Sequence, residues 1–210
     1  MTQASSITGL LGQALLSLAM RVQGGAKPPA AASAASHCDA LTGLPDRRNF
    51  IQTLCREWAL ARRHQLAGAV VLVDLDHFKR VNDVYGRRCG DALLQRVAKA
   101  CAEGLRQGDV LARFGGEEFI LYLPHTDPLG ALDVAERIRA RVALLDFNWQ
   151  GNKVTVQISA GVAALKAEHR DMDQFLRDVD EALFIAKSSG RNCVRGAVGL
   201  LPGQPSRAMR

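Results

Sequence analysis

Residues Val70–Asp76 read VVLVDLD, an apolar run that ends in two acidic residues at alternate positions. Consecutive apolar residues, most of them β-branched, indicate a buried strand of a sheet. Such a strand brings Asp74 and Asp76 to the edge of the sheet, where carboxylate oxygens can hold a hard cation such as Mg²⁺. Asp76 has a second interpretation, because an acidic residue there also caps a following helix. Asp74 lacks a comparable structural interpretation and is therefore the stronger metal-binding candidate.

A second acidic pair follows two glycines in RFGGEEF, residues Arg113–Phe119. Glycines at a tight turn let backbone and ligand approach closely. Short strands around Arg113 and at Ile120–Leu123 predict that this turn closes a hairpin. Taken alone, a GGEE turn is more often a solvated turn than a functional site. Together with the strand that ends at Asp74, it indicates a two-metal carboxylate cluster of the type used for phosphoryl transfer.

Helical and strand-like segments alternate around these two motifs. The predicted helices begin after Pro45 and span Gly90–Gly104, Pro128–Leu144 and Asp173–Ser188, and the further predicted strands are Ala69–Val73, Val154–Ala164 and an edge strand at Asn192–Val194. Strands interleaved with helices, together with hairpins, predict an α/β or α+β sheet with helices packed on it.

The composition is that of a globular domain, with 48% hydrophobic and 23% charged residues among 210. The net charge of +6 is typical of a protein that contacts an anion, such as a nucleic acid, a membrane surface or a phosphorylated small molecule. No nucleic-acid-binding motif accompanies the charge, so we expect no nucleic-acid partner. The five cysteines are scattered without a C-x-x-C pair, which predicts reduced thiols in a cytoplasmic protein rather than a disulfide framework or a zinc site.

Three segments are predicted along the chain. Residues 1–36 combine an apolar helix at Ile7–Met20 with a linker rich in Gly, Pro and Ala. This helix is shorter than the roughly 20 residues that a membrane span requires, and no basic residue precedes it as in a signal peptide. We therefore expect no membrane span. Residues 37–196 form the predicted catalytic domain, and residues 197–210 a flexible tail.

Five blocks of the sequence resemble the GGDEF family and occur in the order of that family. They are DALTGLPDRRNF (Asp39–Phe50), DLDHFKRVNDVYG (Asp74–Gly86), CGDALL (Cys89–Leu94), RFGGEEF (Arg113–Phe119) and AKSSGRN (Ala186–Asn192). The five-residue core motif is a weak signal alone. All five blocks in order, across nearly the whole domain, argue strongly against chance similarity.

The resemblance implies an α+β fold of the palm type, in which helices flank a central, mostly antiparallel sheet. It also implies a diguanylate cyclase, which condenses two GTP molecules into cyclic di-GMP and two pyrophosphates with Mg²⁺ or Mn²⁺. Asp74, Glu117 and the carbonyl of Leu75 would then bind the metal, and Glu117 with its neighbour Glu118 would serve in catalysis.

The same resemblance implies the contacts to GTP. Asp91 matches the position whose carboxylate accepts guanine N1–H and N2–H₂, a pattern that adenine does not offer. Asn82 matches a second base-reading position, although without the resemblance it is equally well a turn or helix-terminal residue. The other implied substrate-binding residues are His77, Phe78, Gly116, Lys187 and Arg191. Of these, the two basic residues would otherwise be expected merely to complement a helix C-terminus.

Two further expectations follow from the resemblance. Arg106 and Asp109 form an R-x-x-D motif at the position of the family's inhibitory site for cyclic di-GMP, and Arg137 matches a second arginine of that site. In an unfamiliar sequence, R-x-x-D is usually a surface ion pair. A homodimer is also expected, because one domain has one recognisable guanine pocket and the product needs two GTP molecules.

Alternatives remain at this point. A catalytically silent GGDEF domain would act as a receptor for GTP or cyclic di-GMP, but the intact Gly115–Glu118 stretch favours an active enzyme. A cyclase with an adenine-containing product is disfavoured by Asp91. Two residues depart from the common family pattern: Arg87 replaces a frequent histidine, and Phe184 replaces a frequent tyrosine. Neither departure removes a metal ligand or the guanine carboxylate.

Overall fold

The computed structural model describes residues 37–200, so the predicted helix Ile7–Met20, the linker after it and the end of the tail lie outside the described part. The helices in this range are α1 (Arg47–His64), α2 (Phe78–Tyr85), α3 (Arg87–Ala102), α4 (Pro128–Ala143) and α5 (Met172–Ser188). The strands are β1 (Gly68–Leu75), β2 (Val110–Arg113), β3 (Glu118–Pro124), β4 (Asn148–Trp149), β5 (Asn152–Lys153), β6 (Ile158–Ala164) and β7 (Val194–Gly196).

The main sheet has the strand order β2-β3-β1-β6-β7. The pairs β2–β3, β3–β1 and β1–β6 are antiparallel, and the edge strand β7 runs parallel to β6. Strands β4 and β5 form a separate two-stranded hairpin. The predicted α+β fold with a mostly antiparallel central sheet is therefore confirmed.

Strand β1 is the centre of the domain, and all eight of its residues are buried. Because side chains alternate across a sheet, Val71 and Val73 face one layer of helices, where they share a core with Leu93 of α3 and Ile138 of α4. Helices α1 and α5 form the other layer and touch each other through aromatic rings. The continuous apolar run in the sequence is thus explained by helices on both faces.

Three helices begin where an aspartate caps them. The side chains of Asp46, Asp127 and Asp171 each accept a hydrogen bond, at 2.7–2.8 Å, from the backbone N–H three residues later. This contact satisfies one of the amides that a helix N-terminus leaves unpaired. The starts of α1, α4 and α5 are thereby fixed by local sequence.

Several boundaries differ from the sequence-based predictions. The predicted strand Val154–Ala164 pairs regularly only from Ile158, because the backbone N–H of Val154 donates to the carbonyl of Phe147 beside the small hairpin. The edge strand begins at Val194 rather than two residues earlier, since Asn192 has a left-handed φ of 45° that a strand cannot accommodate.

The last described residues also pack more closely than the tail prediction implies. Ala197 and Leu200 are buried, and the backbone N–H of Ala197 donates to the carbonyl of Val162 at 2.8 Å. The chain therefore stays on the sheet beyond the end of β7.

Replacing Gly161 with alanine should lower the melting temperature strongly. An added Cβ would overlap the main chain of α5 at Val179 and Leu183, and a backbone cannot rotate away as a side chain can. Overpacking of this severity costs about 3 kcal/mol, which corresponds to a loss of about 6–12 °C for a domain of this size.

Gly68→Ala is the matched control in β1, because its added Cβ would lie 3.0 Å from the hydroxyl of Tyr122, a side chain that can shift. Its loss in a thermal circular dichroism scan should be clearly smaller. A melting temperature of Gly161→Ala equal to that of the wild type would contradict the close packing of α5 on β6.

Candidate functional site

The acidic residues of the two sequence motifs meet at one end of the sheet. Asp74 in β1 lies opposite Glu118 in β3 and opposite Ser159 in β6. One residue further, the backbone N–H of Leu75 donates to the carbonyl of Glu117 at 3.2 Å. Strand pairing, rather than side-chain contact, therefore sets the spacing between these carboxylates.

A positively charged side chain lies against this carboxylate cluster. The Nζ atom of Lys187 lies 2.8 Å from Oδ2 of Asp74, whose side chain is only 6% exposed. Burial raises the pKa of Asp74, and the ammonium group of Lys187 counteracts that rise. The pKa of Glu117 is raised by burial and by the negative charge of Asp74. The same two causes raise the pKa of Glu118 to about 7.

The cluster offers ligands of the kind that Mg²⁺ and Mn²⁺ prefer. Carboxylates and a main-chain carbonyl are hard oxygen donors, and their mutual repulsion is relieved by a bound cation. Among residues 37–200, no three His, Cys, Asp or Glu side chains are arranged as a metal-binding group. The predicted ligands, which are the carboxylates of Asp74 and Glu117 and the carbonyl of Leu75, include only two such side chains.

A cavity of about 440 Å³ opens beside the hairpin and brings together most of the predicted guanine-side residues. It is lined by Phe78, Lys79, Asn82, Arg87, Asp91, Leu94, Arg113, Gly116 and Glu117. Arg87, the departure from the common family histidine, is therefore positioned at the same cavity as Asp91. The lining is mostly polar, because two carboxylates, one amide and three basic side chains accompany the apolar Phe78 and Leu94.

Gly90 shapes this cavity and was not singled out by sequence analysis. A Cβ at this position would overlap Oδ1 of Asn82 and lie 3.0 Å from the ring of Phe78. A larger residue at position 90 would therefore displace the Asn82 side chain from its present position. Gly90 is the glycine of the CGDALL block, so the sequence contained it, but sequence analysis assigned it no separate role.

The start of α2 differs from the interpretation of Asp76 as a helix cap. His77, not Asp76, precedes α2, with a left-handed φ of 58° and no side-chain capping bond. Asp76 is buried and accepts from Oγ of Ser159 at 2.7 Å and from the backbone N–H of Asn192 at 2.9 Å. The helix-capping interpretation of Asp76 is therefore wrong, because its oxygens tie β1 to β6 and to the loop after α5.

The predicted phosphate-binding residues surround this end of the sheet. His77 and Phe78 lie at the N-terminus of α2, where backbone amides are available to an anion. Arg191 lies in the loop after α5, and its positive charge counteracts part of the rise that burial causes in the pKa of Asp74. Phe184, one turn before Lys187 on α5, is 69% exposed. The site therefore combines a carboxylate cluster with a basic rim.

Arg113 links the hairpin to the start of the described domain, a role that sequence analysis did not assign. Its Nη1 donates to both carboxylate oxygens of Asp39 at 3.0 and 3.1 Å, and its Nη2 donates to the carbonyl of Gly116 at 2.6 Å. The hydroxyl of Thr42 also bonds Asp39 at 2.7 Å. Asp39 and Arg113 lie in two of the sequence blocks quoted above, but the sequence does not show that they bond to each other.

Comparison with known proteins shows the family of the chain. The family model described as "Diguanylate cyclase, GGDEF domain" matches residues 36–193. The chain belongs to the GGDEF family.

Relatives of this GGDEF domain include proteins named diguanylate cyclases. Diguanylate cyclase DgcP of Pseudomonas aeruginosa is 40% identical over 156 residues, which cover 73% of this chain and 23% of DgcP. Among solved structures, the P. aeruginosa diguanylate cyclase SiaD in complex with its activator SiaC superposes with a TM-score of 0.75 at 34% identity, over 91% of this chain and 69% of SiaD. The GGDEF domain of DgcB from Caulobacter crescentus, solved with c-di-GMP, has a TM-score of 0.73 at 28% identity, over 77% and 95% of the two chains.

The curated relatives are much longer than the match. The chain spans 23% of DgcP, 36% of diguanylate cyclase A of Treponema denticola and 34% of DosC of Escherichia coli. In residues 37–200, no helix has the length and apolarity to cross a bilayer.

The R-x-x-D residues of this GGDEF domain bond to each other and to nearby backbone. Asp109, with a side chain only 3% exposed, accepts from the backbone N–H of Arg106 at 3.0 Å and from its Nε at 3.2 Å. Nη2 of Arg106 donates to the carbonyl of Pro124 at 2.6 Å and to Oγ1 of Thr126 at 2.7 Å. Arg137 reaches the same loop, where its Nη2 donates to the carbonyl of Gly104 at 3.0 Å. The three predicted residues thus lie around one loop.

The raised pKa of Glu118 predicts a pH-dependent stability of the metal-free protein. Between the ordinary value of 4.5 and about 7, the folded protein keeps a proton on Glu118 that the unfolded chain has lost. Its stabilising contribution is therefore fully present below pH 4.5 and is lost as pH rises through about 7. Glu118→Gln, which imitates the protonated form, should melt increasingly above the wild type as pH rises across this window in EDTA.

Glu136→Gln is a control of opposite sign, because a hydrogen bond from Arg139 lowers the pKa of Glu136. This variant should melt below the wild type near neutral pH, and the difference should shrink as pH falls through the carboxyl range. A difference between Glu118→Gln and wild type that stays constant from pH 4.5 to above 7 would contradict the burial of Glu118.

Proposed function

We propose that this domain is a diguanylate cyclase that condenses two GTP molecules into cyclic di-GMP and two pyrophosphates. The observation that carries the proposal is the continuity of the site. Asp91 and Asn82 share one cavity with Glu117, whose carbonyl accepts from the backbone N–H of Leu75, the residue after Asp74. Glu117 thus connects the proposed guanine-reading residues with the proposed metal-binding residues.

The guanine end supports a preference for guanine over adenine. A carboxylate accepts the adjacent N1–H and N2–H₂ donors of guanine, whereas adenine offers an acceptor at N1 and leaves Asp91 unpaired. An unpaired polar partner in a pocket costs free energy, and this cost is the basis of discrimination. Arg87, at the rim of the same cavity, adds a donor near the base or ribose.

The reaction forms one bond and breaks one bond in each half. The 3′-hydroxyl oxygen of one GTP attacks the α-phosphorus of the other, and the bond to the β-phosphate oxygen breaks to release pyrophosphate. The hydroxyl proton passes to a carboxylate, and Glu118, with a pKa raised by burial to about 7, and Glu117 beside it are suited to accept it near neutral pH. Mg²⁺ or Mn²⁺ held by Asp74, Glu117 and the Leu75 carbonyl would supply charge stabilisation at the phosphates.

Lys187 and Arg191 would bind the phosphates of GTP. In the structure, the ammonium group of Lys187 is paired with the carboxylate of Asp74 at 2.8 Å. A bound metal ion would replace it beside the carboxylate and free it for phosphate oxygens. One domain would then hold one GTP, so that the two halves of the product come from two chains, and a homodimer is part of the proposal.

Asp74→Asn and Glu117→Gln should each lower cyclic di-GMP formation by at least about a thousandfold, because each removes a charged metal ligand while keeping the side-chain size. The measurement is chromatographic identification of the product after incubation of purified protein with GTP and Mg²⁺. Glu168→Gln, which removes an exposed carboxylate in the loop beyond β6, is the control and should keep full activity.

The same assay separates an enzyme from a silent receptor. GTP binding by the wild type without any cyclic di-GMP would favour the receptor alternative. Undiminished turnover in Asp74→Asn or Glu117→Gln would refute the metal assignment even if the enzyme is active.

We further propose that cyclic di-GMP inhibits through Arg106, Asp109 and Arg137. A planar guanidinium suits a phosphate or a guanine edge, and a carboxylate suits guanine N1–H and N2–H₂. Because Arg106 already bonds Asp109, Pro124 and Thr126, ligand binding there requires Arg106 to exchange these partners. Its side chain is 58% exposed, so this exchange needs no change in the core.

Arg106→Ala should raise the concentration of cyclic di-GMP that gives half-maximal inhibition by at least about tenfold, since a charge-assisted contact to the ligand is lost. Inhibition is measured relative to the uninhibited rate of each variant. Arg63→Ala, which removes an exposed arginine from α1, is the control. Identical inhibition curves for Arg106→Ala and wild type would contradict this site.

A further inference from the structure

The loop between α5 and β7 has an unusual backbone. Gly190, Arg191 and Asn192 follow one another with positive φ angles of 104°, 64° and 45°. Left-handed conformations at non-glycine residues persist where the surrounding structure enforces them. Arg191, one of the proposed phosphate ligands, is in the middle of this turn. Whatever enforces the turn therefore also sets the direction of the Arg191 side chain.

Two groups outside the loop bond to Asn192, one at its backbone and one at its side chain. Its backbone N–H donates to Oδ2 of Asp76 at 2.9 Å, and Asp76 is buried and fixed in turn by the hydroxyl of Ser159 at 2.7 Å. Nη1 of Arg139 in α4 donates to Oδ1 of the Asn192 side chain at 2.8 Å. The loop is thus hydrogen-bonded both to the end of β1 and to helix α4.

Arg139 is itself held in place before it reaches Asn192. Both carboxylate oxygens of Glu136, one turn earlier on α4, accept from its Nε at 2.9 and 3.0 Å, and its Nη2 bonds Glu136 at 2.6 Å. The side chain of Arg139 is 19% exposed. This fork-like pairing fixes the guanidinium plane and directs Nη1 at Asn192.

We propose that Arg139 is a positioning residue for the triphosphate site, acting through Asn192 on the turn that presents Arg191. The inference rests on the proposed function, because it takes Arg191 as a phosphate ligand. Without Arg139, Asn192 keeps its backbone bond to Asp76 but loses its side-chain anchor. The strained turn then relaxes, and the Arg191 guanidinium occupies its phosphate-binding position for less of the time.

The first test is calorimetric binding of α,β-methylene-GTP, which cannot lose pyrophosphate, to the full chain with Mg²⁺. Arg139→Ala should weaken binding about tenfold, the effect of one charge-assisted hydrogen bond. Arg139→Ala should weaken the binding of GMP, which lacks the β- and γ-phosphates, clearly less than the binding of the analogue. Unchanged affinity for the analogue, or an equal loss for both ligands, would overturn the inference, since an equal loss indicates general damage to the pocket.

A double-mutant cycle tests the route through Asn192. Asn192→Gly keeps the left-handed backbone but lacks the acceptor, so it should weaken analogue binding as much as Arg139→Ala does. The affinity of the double variant for the analogue should lie within about twofold of that of either single variant, because both substitutions remove the same hydrogen bond. Asn192→Asp, which keeps an acceptor, should bind close to the wild type. Additive losses in the double variant would exclude this route.

Hydrogen–deuterium exchange without nucleotide separates this inference from the proposed function. Amides of residues 190–193 should exchange faster in Arg139→Ala than in the wild type. Arg195→Ala, which removes an exposed arginine of β7, should leave them unchanged. If the wild type binds no analogue, the proposed function fails, and this exchange rate still decides whether Arg139 orders the loop. Unchanged exchange in Arg139→Ala refutes the inference.

Discussion

Asp74 is a carboxylate buried at the end of the central strand, and the rest of the site is arranged around its charge. A buried charge is costly unless a partner compensates it, and here Lys187 does so at 2.8 Å. Antiparallel pairing on both sides of β1 fixes the neighbours, with Glu118 on one flank and Ser159 on the other. Burial and the negative charge of Asp74 raise the pKa of Glu117 and of Glu118. A cation bound beside these carboxylates would relieve their repulsion, so the cluster suits a metal ion and the phosphates that accompany it.

Much of this architecture was predictable from local patterns. The run Val70–Asp76 predicted a buried strand, and the helices found on both faces of the sheet explain why the run is continuously apolar. The glycine pair at Gly115 and Gly116 predicted a hairpin, and aspartate caps explain the starts of three helices. The meeting of Asp74 with Glu117 was a hypothesis about two separate motifs, and antiparallel register supplies the physical reason for it.

Long-range side-chain contacts were not predictable in the same way. Asp76 looked like a helix cap, since an acidic residue before a helix usually serves that purpose, yet its partners lie 83 and 116 residues away in sequence. Arg139 carried no motif at all, and its contact with Asn192 depends on how α4 packs beside the sheet. Gly90 was visible within a sequence block, but its purpose becomes apparent only when Asn82 is found against it. Such residues act by tertiary packing, which spacing along the chain does not encode.

The central claim is that the carboxylates at the end of β1 and the cavity beside the hairpin form one site for metal and GTP. The most direct measurement is a crystal structure with Mn²⁺ and α,β-methylene-GTP, in which anomalous scattering locates the metal. We expect the metal signal at Asp74, Glu117 and the Leu75 carbonyl, with the guanine edge against Asp91. Metal or nucleotide bound elsewhere on the domain, with this cavity empty, would contradict the account.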